Sequence, residues 1–206
     1  MSRRAESRRT TGETDVRAAV DLDGSGTAIV STGVGFFDHM LALLARHSLI
    51  DVEVEARGDL ETGSHHTVED VGITLGQAIN DALGDRAGIE RYGAALIPMD
   101  ECLAQAAIDL SGRPFTLIEV PLTPMVIGGF ETELLPEFMR GLANHAGLTL
   151  HLRLRAPGNA HHAIEASFKA VARALGAAVA PNPRVGGVPS TKGSLCAPTS
   201  PCSTTR

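Results

Sequence analysis

Apolar and polar positions along this chain follow two different periods, and the switches between them mark its elements. At residues 18–22 and again at 105–110 apolar residues occupy every second position, the pattern of a strand with one face buried. Residues 51–56 and 148–154 alternate in the same way. Residues 37–46, 67–83, 134–144 and 163–180 instead carry Ala, Leu, Ile and Val at i, i+3 and i+4, which predicts helices packed on a core. Each half therefore reads as strand, second strand, helix, third strand and longer helix.

The order recurs because the sequence recurs. ETDVRAAVDLDG beginning at Glu13 is answered by ECLAQAAIDLSG beginning at Glu101, an offset of 88 residues (101 against 13). HHTVED from His65 is answered by HHAIEA from His161, an offset of 96 (161 against 65). The extra residues fall in the Pro/Gly-rich stretch PLTPMVIGGF, 121–130, which reads as a loop inserted in the second half. The predicted architecture is α+β: two similar halves with sheets outside and the long helices packed between them.

Composition narrows the function. With 43% hydrophobic and 20% charged residues the chain has the balance of a soluble globular protein, and no apolar run approaches the ~20 residues of a membrane span. Aromatics are 3% with no Trp, so Ala, Leu, Ile and Val are expected to build the core. A net charge of -6 and the scarcity of stacking residues exclude nucleic acid as a partner. Cys102, Cys196 and Cys202 have no CxxC spacing, so neither a zinc knuckle nor a disulfide framework is expected. The N-terminus lacks the apolar run of a signal peptide, which implies a cytoplasmic location. The polar stretches 2–9 and 197–206 read as tails. DLDGSG at 21–26 lacks the distal Glu of a calcium loop and reads as a hairpin turn.

The candidate chemistry lies in the paired histidines. On a helix His65 and Glu69 are i, i+4 and His66 and Glu69 are i, i+3, so imidazole and carboxylate meet. Neighbouring histidines point about 100° apart, so His65 and His66 cannot easily bind one ion. The same holds for His161, His162 and Glu165. Two ions shared between the repeats account for both pairs at once. Counting back from the pairs adds His39 and its counterpart Glu137, at an offset of 98 (137 against 39). For His47, His145 and His151 an ordinary hydrogen-bonded role is expected.

GFFDHML, HHTVED, RYG at Arg91, MDE at Asp100, DLSGR, GNAHHAIEASFKA and VPSTKG occur in the order found in imidazoleglycerol-phosphate dehydratases, and over roughly residues 9–195 the chain resembles that family. The resemblance implies one dehydratase domain over 1–195, made of repeats at about 9–90 and 91–193, followed by a tail at 196–206. It implies a fold similar to ribosomal protein S5 domain 2, with helices between two four-stranded sheets. It also implies removal of water from imidazoleglycerol phosphate to give imidazole acetol phosphate in histidine biosynthesis, with two Mn²⁺ or other divalent ions per site and a shell of 24 subunits. The metal ligands then fall on His39, His65, His66, Glu69, Glu137, His161, His162 and Glu165. Substrate contacts fall on Glu13, His39, Arg91, Arg113, Ser190, Thr191 and Lys192, with Glu13, Glu69 and Glu165 as catalytic carboxylates and Glu13 as general base. Many members carry His where this chain has Glu137, and an acidic residue where it has Ser64. A metal-dependent phosphatase would use similar residues, and a metal-storage shell would explain the histidines but not Arg91, Arg113 and PSTKG.

Overall fold

The computed structural model describes residues 3–195; the tail expected at 196–206, with Cys196 and Cys202, lies outside them. Two four-stranded sheets enclose the helices. In the first, β1 (Arg4–Thr10), β2 (Thr14–Asp21), β4 (Asp51–Gly58) and β3 (Ala28–Ser31) lie in the spatial order β1-β2-β4-β3. In the second, β5 (Tyr92–Met99), β6 (Cys102–Asp109), β10 (Thr149–Ala156) and β7 (Phe115–Glu119) repeat that order. The strand before each first helix, β3 or β7, lies parallel to the strand after it, β4 or β10, and the other pairings are antiparallel. The helices are α1 (Gly35–Ser48), α2 (His65–Leu83), α3 (Leu134–Ala146) and α4 (Ala160–Val179).

Strand β2 shows why each sheet has a wet and a dry face: Thr14, Val16, Ala18 and Val20 are buried while the residues between them are not. Helix α2 packs on β1 and β2, and α4 on β5 and β6. Pairs α2–α3 and α1–α4 then pack on each other between the sheets. Their approach is close because glycine stands at the crossings. A Cβ on Gly72 would lie 2.7 Å from the Phe138 carbonyl oxygen, on Gly76 2.6 Å from that of Leu142, and on Gly176 2.4 Å from that of Ser48.

The aliphatic core expected from composition holds an aromatic centre as well. Phe37, Phe138, Phe168 and Phe130 are fully buried, with ring centroids 5.3 Å apart for Phe37–Phe138, 5.2 Å for Phe138–Phe168 and 5.8 Å for Phe37–Phe130. Few aromatics suffice when they meet where four elements converge. Phe130 comes from the 121–130 insertion, which folds as a small ribbon of β8 (Val126–Ile127) and β9 (Phe130–Glu131) rather than as open loop.

Two expectations are corrected. Of the stretch expected as a tail at 2–9, the described residues are not one, because Arg4–Thr10 pairs with β2 along its whole length. An edge strand needs little apolar surface when the ladder satisfies its backbone, and ion pairs Arg4–Asp21, Arg8–Asp15 and Arg17–Glu6, each 2.7 Å, tie its outward side chains down. The turn at 21–26 is not a hairpin either: β3 joins β4, and the Asp51 carboxylate fixes the turn by accepting the Ser25 and Thr27 N–H groups, each at 2.8 Å.

The crossing at Gly76 gives a direct test. Ala gains about 1 kcal/mol of helix propensity over Gly, but overpacking against backbone costs about 1–3 kcal/mol. Gly76→Ala should therefore be net destabilising, seen as a lower midpoint in urea unfolding.

Candidate metal centre

Each long helix opens on its histidine pair. On α4 the Asn159 side chain caps the first turn by accepting the His161 N–H at 2.8 Å. Rings of His161 and His162 stand 88° apart with centroids at 6.0 Å, and those of His65 and His66 82° apart at 5.9 Å. The members of each pair therefore face different surroundings.

The first members face their own helix and its neighbour. His161 Nε2 lies 3.2 Å from Glu165 Oε2, and His39 Nε2, from α1, lies 3.7 Å from the same oxygen. In the other half His65 Nε2 lies 3.5 Å from Glu69 Oε2. Glu137, in the first turn of α3, is ion-paired with Arg140. Parallel packing of α1 with α4 and of α3 with α2 puts these residues at matching ends of the two helix pairs. His39 and His161 both reach Glu165, whereas among the described residues no ion pair joins Glu137 to His65 or Glu69.

The second members turn elsewhere. His66 donates Nδ1–H to Asp59 at 3.0 Å, and its Nε2 lies 3.8 Å from Glu13 Oε2. His162 donates Nδ1–H to Glu101 at 3.0 Å, and its Nε2 lies 3.8 Å from Asp100 Oδ2. Asp100, Glu101 and His162 present their donor atoms within 4.8 Å of one another. The hydrogen bond and nearby carboxylates hold both imidazoles above the ordinary histidine value. The Asn159 N–H, and then His162, hold the Glu101 carboxyl down at about 2.

Glu165 is buried, which pushes its carboxyl up, but the Lys169 ammonium at 2.7 Å from Oε1, with His39 and His161, outweighs burial and lowers it. Lys169 was not anticipated, although a Glu four residues before a Lys on a helix is a legible pair. Ser64 Oγ donates to Glu131 Oε2, so the insertion brings a carboxylate beside the first pair.

The basic candidates lie elsewhere. A groove of 640 Å³ is lined by Arg91, Tyr92, Arg113 and the segment from Pro189 to Lys192. Arg91 is committed within it: Nε donates to Asp109 at 2.8 Å and Nη1 to the Pro189 carbonyl at 2.7 Å, so it holds the segment in place. Ser190 Oγ accepts the Lys192 N–H at 3.2 Å. Arg113, Thr191 and Lys192 are exposed, and among the described residues Arg113 and Lys192 have no ion-pair partner. The Arg91 N–H binds the Ala178 carbonyl at 2.9 Å. Ala178 is 13 residues beyond Glu165 on α4, so about 20 Å of helix separates groove from histidine cluster.

The family profile described as imidazoleglycerol-phosphate dehydratase matches residues 32–175. Curated relatives of that name include proteins of Moorella thermoacetica, 56% identical over 95% of this chain and 100% of the relative, and of Symbiobacterium thermophilum, 58% identical over 91% and 90%. Among solved structures, the imidazoleglycerol-phosphate dehydratase of Staphylococcus aureus is 40% identical, with a TM-score of 0.79 over 87% of this chain and 99% of that one. The Pyrococcus furiosus enzyme is 36% identical, with a TM-score of 0.79 over 91% and 99%.

Lys169→Met tests the electrostatics of the cluster. Glu165's lowered carboxyl makes the pair stabilising above its ordinary value of 4.5, with that contribution lost as pH falls below it. The variant should lose on the order of 2 kcal/mol at pH 7, and its unfolding curves should draw toward the parent's as pH falls through the lowered Glu165 value.

Proposed function

Because this chain belongs to the imidazoleglycerol-phosphate dehydratase family, we propose that it dehydrates imidazoleglycerol phosphate at a site holding two divalent ions, Mn²⁺ foremost. The observation that carries the reading is that His39 of the first half and His161 of the second both reach Glu165, with His65 and Glu69 at the matched place on α2. Imidazole nitrogens and carboxylate oxygens suit a divalent ion of this class, and His39 and His161 approach one Glu165 oxygen at 3.7 and 3.2 Å. Glu137 is assigned to the second set with His65 and Glu69, while His66 and His162 supply one further donor each. Eight ligands over two octahedral ions leave about two positions on each for substrate and water.

Such ions would polarise the substrate's imidazole and stabilise charge that develops on it. The rest falls to the chain. Glu13 removes the proton: it is exposed, its carboxylate lies beside His66, and among the described residues it pairs with no Arg or Lys. Arg113 and Lys192 hold the phosphate, Ser190 and Thr191 add neutral donors, and Arg91 fixes the segment that carries them. Glu69 and Glu165 set the donor geometry. A phosphatase or a storage shell would leave the family match unexplained.

Groove and cluster lie too far apart in one chain to share a substrate, so we assign each catalytic site to more than one copy, in a homo-oligomer of 24 subunits. Tyr92, Leu96 and Phe115 are exposed on the outer face of the second sheet and suit contact between copies. No helix among the described residues is long and apolar enough to cross a membrane. The reading places the enzyme in the cytoplasm and assigns residues 1–195 to one duplicated unit.

Glu13→Gln should lower turnover by roughly 10²–10⁴ with unchanged metal content, followed through enol absorbance of the product; near-normal turnover removes Glu13 from the base role. The shared site predicts complementation. Lys192→Ala and Glu165→Gln, each deficient alone, should recover activity after co-refolding, because some mixed sites then receive an intact groove and an intact cluster. No recovery despite mixed oligomers by mass spectrometry would place both on one copy.

A further inference from the structure

Beyond the ligands themselves, two carboxylates stand where they decide how the outward histidines are presented. Asp59 reaches His66 Nδ1 with both oxygens, at 3.1 and 3.0 Å. Glu101 reaches His162 Nδ1 at 3.0 Å. The two come from different places in the repeat, Asp59 from the loop before α2 and Glu101 from the β5–β6 turn, yet each arrives at the same ring nitrogen.

Both carboxylates are themselves held. Asp59 Oδ2 accepts the Thr62 hydroxyl at 3.0 Å, and its backbone carbonyl accepts the Thr62 N–H at 2.9 Å. Glu101 Oε1 accepts the Asn159 N–H at 2.6 Å, at the start of α4. Gly158 leaves the space that this carboxylate fills, for a Cβ there would lie 2.3 Å from Glu101 Oε1. An imidazole whose Nδ1–H is donated carries its lone pair on Nε2. The orientation of a ligating ring is commonly set in this way, through hydrogen bonds to the nitrogen that does not bind.

Resting on the two-ion reading above, we propose that Asp59 and Glu101 are positioning residues that fix His66 and His162 as Nε2 donors, turned away from Glu69 and Glu165 of their own helices. The close grouping of Asp100, Glu101 and His162 is then an orienting hydrogen-bond set, since both Glu101 oxygens already accept N–H groups.

Mn²⁺ alone, titrated into the purified full chain and followed by the electron paramagnetic resonance of the free ion, tests this. Asp59→Leu and Glu101→Leu should each weaken binding by about 10–100-fold, while chelated samples of Asp59→Leu melt with the parent. Asp59→Asn, whose amide oxygen still accepts Nδ1–H, should recover most of the affinity. Parental affinity in Asp59→Leu, or an Asp59→Asn as weak as Asp59→Leu, overturns the proposal and leaves the two-ion reading standing. A parent chain that binds no Mn²⁺ overturns both.

Discussion

Backbone meets backbone where the helices cross, and the rest of the site follows from that contact. Gly72, Gly76 and Gly176 leave no side chain at the crossings, so α2 lies on α3, and α4 on α1, backbone against backbone. The contact fixes relative height as well as distance. His39 stands level with Glu165, and Ser48 with Gly176 one end further on, so the donor atoms are placed by main chain rather than by flexible stems. Larger residues at the crossings would part the helices and carry the imidazoles with them.

Much of this was legible before any coordinates, for a physical reason. The HHxxE repeats are local, and helical geometry alone brings His161 to Glu165 and His65 to Glu69. Alternation placed two strands of each half, at 18–22 and 51–56 and at 105–110 and 148–154, and helical spacing placed both helices of each half. What escaped was set by tertiary contact or by charge. Strand β1 has only Ala5 as an apolar residue, so a test based on burial discards it, although its backbone ladder and arginine pairs suffice. Asp59 and Glu101 reach their histidines across loops that no spacing rule joins. Arg91 was legible as a cation, but its commitment to Asp109 and Pro189 was not.

Duplication has kept the scaffold and released the details. The two sheets share one strand order, and the histidine pairs sit at the start of equivalent helices. Around that frame the details differ: His39 of the first half faces Glu165 of the second, whereas its counterpart Glu137 pairs with Arg140, and Lys169 attends Glu165 where Ile73 stands four residues after Glu69. The ribbon at β8–β9 belongs to one half alone, yet its Phe130 packs on Phe36 and Phe37 of the other, so the halves are tied at the centre by an asymmetric element.

The strand that resembled a tail also guards the molecule. As the outermost member of its sheet, β1 offers unpaired backbone groups to any passing chain, the usual seed of fibrils. Its seven residues include Arg4, Arg8 and Arg9, and Arg9 turns inward to Asp70 at 2.9 Å. Another β1 laid alongside would crowd charged side chains already engaged in ion pairs, Arg4 with Asp21, Arg8 with Asp15 and Arg9 with Asp70. Charge along the edge thus makes strand-by-strand growth of the sheet costly, so the side chains that hold β1 in place also protect it from fibrils.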